Sequence, residues 1–292
     1  MSVAYFNGRF VDSRDPVVPI DERGHQFGDG VYEVIRIYNN KPFMLEEHLD
    51  RLYMSAEAIA LPFREARESF KAVIFELISR SNLTDLDVYV QITRGMAARN
   101  HLFPDCPVSI SMTAKPFRSI SAELREKGAK TILHPDERWT NCYIKSLNLL
   151  PNILAKQKAH EQGCLEAILH RDGKITEGTS SNVFVVKGGR VQTTPLSRHI
   201  LAGITRMAVQ RVAAELGVDF QEKYVDLQEL YEADELFITS TTSEIMPVVQ
   251  VDGKTIGIGE PGPVTRLLQK HYKKRTEGVS GETNQPGNEV IQ

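Results

Sequence analysis

The 292-residue sequence is long enough for two medium domains, taking about 100 to 200 residues per domain, and its 41% hydrophobic and 25% charged residues are those of an ordinary globular chain. A formal net charge of −3 excludes a protein built to neutralise nucleic acid or to lie on an anionic membrane, because both need a basic surface. The expected partner is a small molecule or another protein. Cys106, Cys142 and Cys164 are an odd count without Cys-x-x-Cys spacing, which reads as reduced thiols and not as a disulfide frame or a zinc site. No cationic segment followed by an apolar run opens the sequence and no stretch reaches membrane-spanning length, so a cytoplasmic protein is expected, with no metal.

In chain order, Ala4–Phe6 and Arg9–Val11 flank Asn7-Gly8 as a hairpin, and Val31–Tyr38 before Asn39-Asn40 reads as a strand and turn. Leu49, Leu52, Tyr53, Ala56 and Ile59, then Phe70, Val73, Ile74, Leu77 and Ile78, recur at helical spacing and predict two amphipathic helices. Val88–Thr93 and Val108–Met112 return to strands. These define a small α+β domain over 1–118, with a linker at 119–122. A second domain over 123–276 is expected to be α/β or α+β. It opens with strands at Lys130–Leu133 and near Cys142–Lys145, then a helix from Asn152 to Gln162 and strands at Glu166–Leu169 and Val183–Val186. A helix at Ile204–Leu216, a strand at Leu236–Thr239, a hairpin at Val248–Ile256 around Asp252-Gly253 and a helix at Val264–Lys274 complete it. Residues 277–292, rich in Gly, Asn, Glu and Gln, read as a disordered tail.

Four groups of residues could carry chemistry, and each has a plain structural alternative. Gly203-Ile204-Thr205 opens a helix whose first N–H groups could face a phosphate, with Ser240-Thr241-Thr242 supplying hydroxyls; a simple cap and a simple turn remain open. Lys145 lies among apolar neighbours, and partial desolvation favours the neutral amine that a Schiff base needs; it could equally snorkel from a strand edge. Glu177, in the small-residue stretch Thr176–Asn182, could hold a pyridine nitrogen protonated or be a solvated loop glutamate. Arg99 and His101, with Tyr32 upstream, could trap a carboxylate or form an exposed basic loop.

Together these segments resemble the fold-type IV (class IV) pyridoxal 5′-phosphate (PLP) aminotransferases, and most closely the D-amino-acid aminotransferases. The resemblance is carried, in the family's order, by Arg23-Gly24-His25-Gln26-Phe27-Gly28-Asp29-Gly30-Val31-Tyr32-Glu33, Glu47-His48-Leu49-Asp50-Arg51-Leu52, Thr93-Arg94-Gly95 through Arg99-x-His101, and Ile144-Lys145-Ser146-Leu147-Asn148. Thr176-Glu177-Gly178, Gly203-Ile204-Thr205-Arg206 and Thr239-Ser240-Thr241-Thr242-Ser243-Glu244 continue it.

The resemblance implies a two-domain fold with a small N-terminal α+β domain and a larger PLP-binding domain around a barrel-like sheet. It implies Lys145 as the Schiff-base and proton-transferring lysine and Glu177 at the pyridine nitrogen. Arg51, Ile204, Thr205, Ser240 and Thr241 would hold the phosphate, while Tyr32, Arg99, His101 and Thr242 would meet substrate. Implied too are a homodimer, in which Arg99 and His101 can serve the neighbouring subunit, and transamination between D-amino acids and 2-oxo acids, with D-alanine and 2-oxoglutarate giving pyruvate and D-glutamate. Branched-chain L-transaminases, (R)-amine transaminases and 4-amino-4-deoxychorismate lyase share the cofactor residues; Arg99-x-His101 is what favours D-amino acids.

Overall fold

A computed structural model describes residues 2–117 and 120–278. The first part contains β1 (Val3–Phe6), β2 (Arg9–Asp12), α1 (Arg23–Phe27), β3 (Gly30–Tyr38), β4 (Lys41–Pro42), α2 (Leu45–Ala58), α3 (Arg67–Ser81), β5 (Leu86–Thr93) and β6 (Ser109–Pro116). Its six strands form an antiparallel sheet in the order β2-β1-β6-β5-β3-β4. Asn7 and Gly8 both take positive φ, as do Asn39 and Asn40, so both expected hairpins turn through the mirror-image geometry that matches strand twist. The apolar stripes of α2 and α3 pack with the sheet into one core that includes Val31, Leu49, Leu52, Ile74, Leu77 and Ile92. The buried stripe of α2 also carries His48 and Arg51, and charged groups are seldom buried without partners.

The second part contains α4 (Ala122–Lys127), β7 (Ala129–Pro135), α5 (Leu150–Glu161), β8 (Glu166–Arg171), β9 (Lys174–Gly178), β10 (Asn182–Lys187), β11 (Arg190–Thr193), α6 (Ile204–Glu215), β12 (Phe220–Glu222), α7 (Leu227–Tyr231), β13 (Glu235–Ser240), β14 (Glu244–Val251), β15 (Lys254–Thr255) and α8 (Pro263–Gly278). Its sheet runs β12-β11-β10-β13-β14-β7-β8-β9, with β15 on β14. β14–β7, β7–β8 and β11–β12 are parallel, and the other pairs are antiparallel. The tight turn from β9 to β10, closed by the Gly178 N–H on the Ser181 carbonyl at 2.7 Å, brings β9 beside β10 and curls the sheet into a half-barrel. One core joins this sheet to α6 and α8 and another fills its other face.

The structure departs from the sequence-based expectations at several points. Cys142–Lys145 is irregular, its amides bonding to scattered partners, Tyr143 to the Arg198 carbonyl and Ile144 to the Asn141 carbonyl, while the Lys145 carbonyl accepts from Tyr32 of β3. Glu177 lies within strand β9 and not in a loop. The short elements α4 and α7 are too brief for a periodic signal; Ser121 Oγ accepts from the Leu124 amide to cap α4, and an Asp226–Glu229 capping box holds α7. Ala122, placed in the linker, begins α4. Helix α8 continues through Glu277 to Gly278, and the rest of the expected tail, 279–292, lies outside the described residues.

Candidate active site

Lys145 belongs to the second part of the fold but is held by the first. Its carbonyl accepts from the Tyr32 amide at 3.0 Å, and its own amide donates to Ser55 Oγ at 3.2 Å. Val31 and Ser146 form an isolated antiparallel bridge, and the Leu147 amide donates to the Gly30 carbonyl at 3.1 Å. Ile144 is packed in the N-terminal core. Gly30 is required here, because a Cβ would stand 2.5 Å from the Ile92 carbonyl oxygen. The lysine Nζ comes to rest 4.4 Å from the centre of the Tyr32 ring, which itself stacks on Tyr89 at 5.7 Å.

Around Nζ lies a cleft open to solvent, a concave place with a few convergent polar groups such as small-molecule sites use. It is lined by Tyr32, Arg51, Lys145, Glu177, Ile204, Thr205, Ser240 and Thr241, so one chain brings together eight of the residues singled out from sequence. One wall is the start of α6, whose N-cap Gly203 has no capping side chain. The leading N–H groups of a helix lack intrahelical acceptors and carry the positive end of its dipole, a ready anion site. The glycine has a more local reason than ligand approach: a Cβ at Gly203 would meet Asn182 Oδ1 at 2.0 Å. The Thr239 hydroxyl and Ser181 hydroxyl, both on the cleft wall, are buried with no hydrogen-bond partner among the described residues.

Arg51 reaches this wall from α2. Its Nε and Nη2 donate to Glu33 Oε1 and Oε2 at 2.7 and 2.9 Å, and Nη1 donates to the Ala202 carbonyl at 2.7 Å. Two of its five N–H groups are left over from these three bonds. His48 Nδ1 lies 2.7 Å from Glu33 Oε2. Burial by itself would raise the Glu33 carboxyl, but the charges of Arg51 and His48 outweigh it and hold the carboxyl well below its ordinary value.

Glu177 is almost wholly buried and accepts three bonds. Arg138 Nη1 donates to Oε1, the Leu201 amide to Oε2 at 3.0 Å, and Asn182 Nδ2 to Oε2 at 3.2 Å. Arg138 is in turn clamped by Asp136, with Nε and Nη2 each 2.9 Å from its two oxygens, and Thr176 Oγ1 donates to Asp136 at 2.9 Å. Burial raises the Glu177 carboxyl above its ordinary value, and Arg138 opposes the shift without cancelling it. Sequence reasoning did not single out Arg138 or Asn182. Asp136-x-Arg138 carried the signal for the first, since a charged pair just after an apolar strand points to a buried salt bridge. Asn182 also donates to the Leu201 carbonyl at 3.0 Å, tying β10 to the loop before α6.

Arg99, His101 and Thr242 are exposed and do not line this cleft. The Arg99 guanidinium sits 4.8 Å from the Phe27 ring centre and His101 stacks edge-on to the same ring at 5.7 Å. His101 borders an adjoining hollow with Phe27, Phe103, Trp139 and Asn148, and Trp139, Ser146 and Asn148 are shared between the two spaces. The loop's base is fixed: Asp29 accepts from Arg23 Nε at 2.8 Å and from Arg94 Nε at 2.9 Å, while Arg23 Nη1 donates to the Asn100 carbonyl at 2.6 Å. Thr242 Oγ1 lies 3.3 Å from Ser240 Oγ on the outer side of the β13–β14 turn.

Known proteins resemble this chain over most of its length. The model of amino-transferase class IV matches residues 30–251. A D-alanine aminotransferase of Bacillus licheniformis is 47% identical over 265 residues, covering 90% of this chain and 93% of its own. The branched-chain amino acid aminotransferase of Escherichia coli superposes with a TM-score of 0.89 at 30% identity, covering 98% of this chain and 97% of that one. A second branched-chain amino acid aminotransferase, from T.th. and solved with pyridoxamine 5′-phosphate, superposes at 0.88 and 29% identity over 95% and 94% of the two chains.

Proposed function

We propose that this chain, which belongs to the class IV aminotransferases, is a PLP-dependent transaminase of D-amino acids, with D-alanine and 2-oxoglutarate exchanged for pyruvate and D-glutamate. The observation that carries the reading is one cleft that gathers a lysine amine, a buried carboxylate backed by an arginine, and an uncapped helix N-terminus. Those three features match the three polar ends of PLP, which are an aldehyde, a pyridine nitrogen and a phosphate monoester. The unpartnered Thr239 hydroxyl and the two spare N–H groups of Arg51 suit a phosphate as well.

Lys145 would hold the cofactor covalently, and Glu177 would hold its ring nitrogen. Arg51, the amides of Ile204 and Thr205, and the hydroxyls of Ser240 and Thr241 would hold its phosphate. When bound, PLP supplies an electron sink that makes the α-proton of an amino acid removable. Lys145 Nζ, kept beside the Tyr32 ring by the backbone bonds of its loop, moves that proton. Arg138 and Asp136 fix the orientation of Glu177, and the tight packing of Ile144 keeps the lysine loop from drifting away from β3. One site serves both half-reactions, so the same groups must accept two acids in turn.

Tyr32 faces substrate from within the same chain, and Thr242 would reach it from the β13–β14 turn. Arg99 and His101 would grip the α-carboxylate, and the reading that uses them is a homodimer in which they serve the neighbouring site. Exposed Leu150, Ile153 and Leu154 on α5 and exposed Leu102 and Phe103 beside His101 are the apolar surface such an interface would cover. Free Cys106, Cys142 and Cys164 suit a cytoplasmic setting, and among the described residues no helix is long and apolar enough to cross a membrane.

The names of the solved neighbours favour one second reading, a branched-chain L-transaminase. A half-reaction separates the two. The PLP-loaded protein is mixed with D-alanine, L-alanine or L-leucine without a keto acid, and the near-ultraviolet/blue band is followed. D-alanine is expected to bleach it. Bleaching by L-leucine and not by D-alanine contradicts the D-reading.

A further inference from the structure

Glu244 opens β14 directly after the Thr241–Ser243 turn and pairs with Ser240 across the ladder. Its φ of +55° is left-handed, a region that a glutamate seldom adopts without an external hold. The side chain has two such holds, both from distant parts of the chain. Tyr38 Oη, at the end of β3, donates to Oε1 at 2.8 Å, and Arg125 Nη1, in α4, donates to Oε2 at 2.7 Å. The same Arg125 nitrogen donates to the Ser243 carbonyl at 3.2 Å. Within the turn, Ser240 Oγ accepts from the Ser243 amide at 3.0 Å and lies 2.6 Å from Ser243 Oγ. Ser240 and Thr241 meanwhile line the cleft beside Thr205.

The residue that leaves the hydroxyl turn is thus pinned to the N-terminal sheet on one side and to α4 on the other. A turn without that hold has other conformations open to it, and each of them moves the hydroxyls relative to the α6 N-terminus. We propose that Glu244 is a positioning residue that sets the Ser240–Thr241 turn to receive the cofactor's phosphate, acting through Tyr38 and Arg125 and not by touching the ligand. This rests on the PLP reading of the cleft.

The test compares PLP with pyridoxal, which lacks the phosphate, on cofactor-free protein. Binding is read from the fluorescence of Trp139, the single tryptophan, on the cleft wall. Glu244→Gly is the informative variant, because glycine accepts the +55° backbone without strain and loses both side-chain holds, with Arg125→Gln as the variant that leaves the backbone residue unchanged. Its dissociation constant for PLP should rise by about tenfold or more, as expected for lost charge-assisted positioning, while that for pyridoxal changes by less than about twofold. Arg125→Gln, at a partly buried position, should move the same ratio in the same direction by less, and it carries the test if the glycine variant does not fold. Equal weakening of both ligands, or an unchanged ratio in a folded variant, overturns the inference while leaving the cofactor reading intact. A wild-type protein that binds PLP no better than pyridoxal overturns both.

Discussion

Arg51, Glu177 and Arg138 are buried and bonded to fixed partners, whereas Arg99 and His101, a short way along the surface, stand exposed against Phe27. The first group needs no rearrangement to present its free donors and acceptors. The second sits on a loop anchored at its foot through Arg23, Asp29 and Arg94, with its tip resting on Phe27 and, through Phe103, on Arg94. The difference teaches where the cost of binding falls. On the proposed reading, cofactor binding would meet a preorganised wall, while substrate binding would have to draw on groups held at the exposed surface.

The sharpest way to break this comparison is at its rigid end. Lys145→Ala should abolish measurable turnover yet leave the chain folded, because the side chain rests on the Tyr32 ring while the loop is held by its backbone. Substantial turnover by the variant contradicts the role given to Lys145. At the exposed end, Arg99→Ala should lower kcat/KM for D-alanine by the equivalent of about 1.5–3 kcal/mol, the worth of a hydrogen bond to a charged group, with PLP affinity unchanged. Equal losses in PLP and substrate binding would erase the distinction between the two ends.

The smallest expected effect lies in acid. Glu33 is held below its ordinary carboxyl value of 4.5, so its contribution to stability is complete above that value and is lost as the pH falls toward the depressed one. Glu177 has the opposite sign: with a raised folded-state value, its contribution is present below the ordinary value and is lost as the pH rises through the raised one. Urea unfolding at pH 7 and pH 4 separates the two, because the Glu33 contribution falls into acid and that of Glu177 does not. Glu33→Gln, less stable at pH 7, should lie closer to the wild type at pH 4 than at pH 7, and an equal deficit at both pH values would contradict the depressed Glu33 carboxyl.

Long amphipathic elements were legible in the sequence. The apolar spacing of α2, α3 and α6 and the turn pairs Asn7-Gly8 and Asp252-Gly253 stand where the structure has them, because local pattern and global packing agree there. The errors share a cause. Cys142–Lys145 has strand-like residues, but no ladder takes them up: Lys145 bonds to β3 and Tyr143 to Arg198, and long-range partners leave no periodic trace. Glu177 looked like a loop residue because Gly178, Thr179 and Ser180 follow it, although the strand ends only after it. Arg138 and Asn182 were missed because their importance comes from what they touch, 39 and 5 residues away. Gly203 was noticed for a ligand and is required by Asn182. The roles proposed for Lys145, Glu177 and Arg51 come from the order of motifs along the chain, and the structure places the three in one cleft. Their isolated contexts would not have distinguished them from ordinary surface or core residues.

The most direct test of the central assignment is chemical marking of the lysine. PLP-loaded protein is reduced with borohydride, digested and mapped by mass spectrometry. A single phosphopyridoxyl adduct on Lys145 is the predicted result. An adduct on another lysine, or no adduct in a protein that binds PLP in the cleft, would contradict the account.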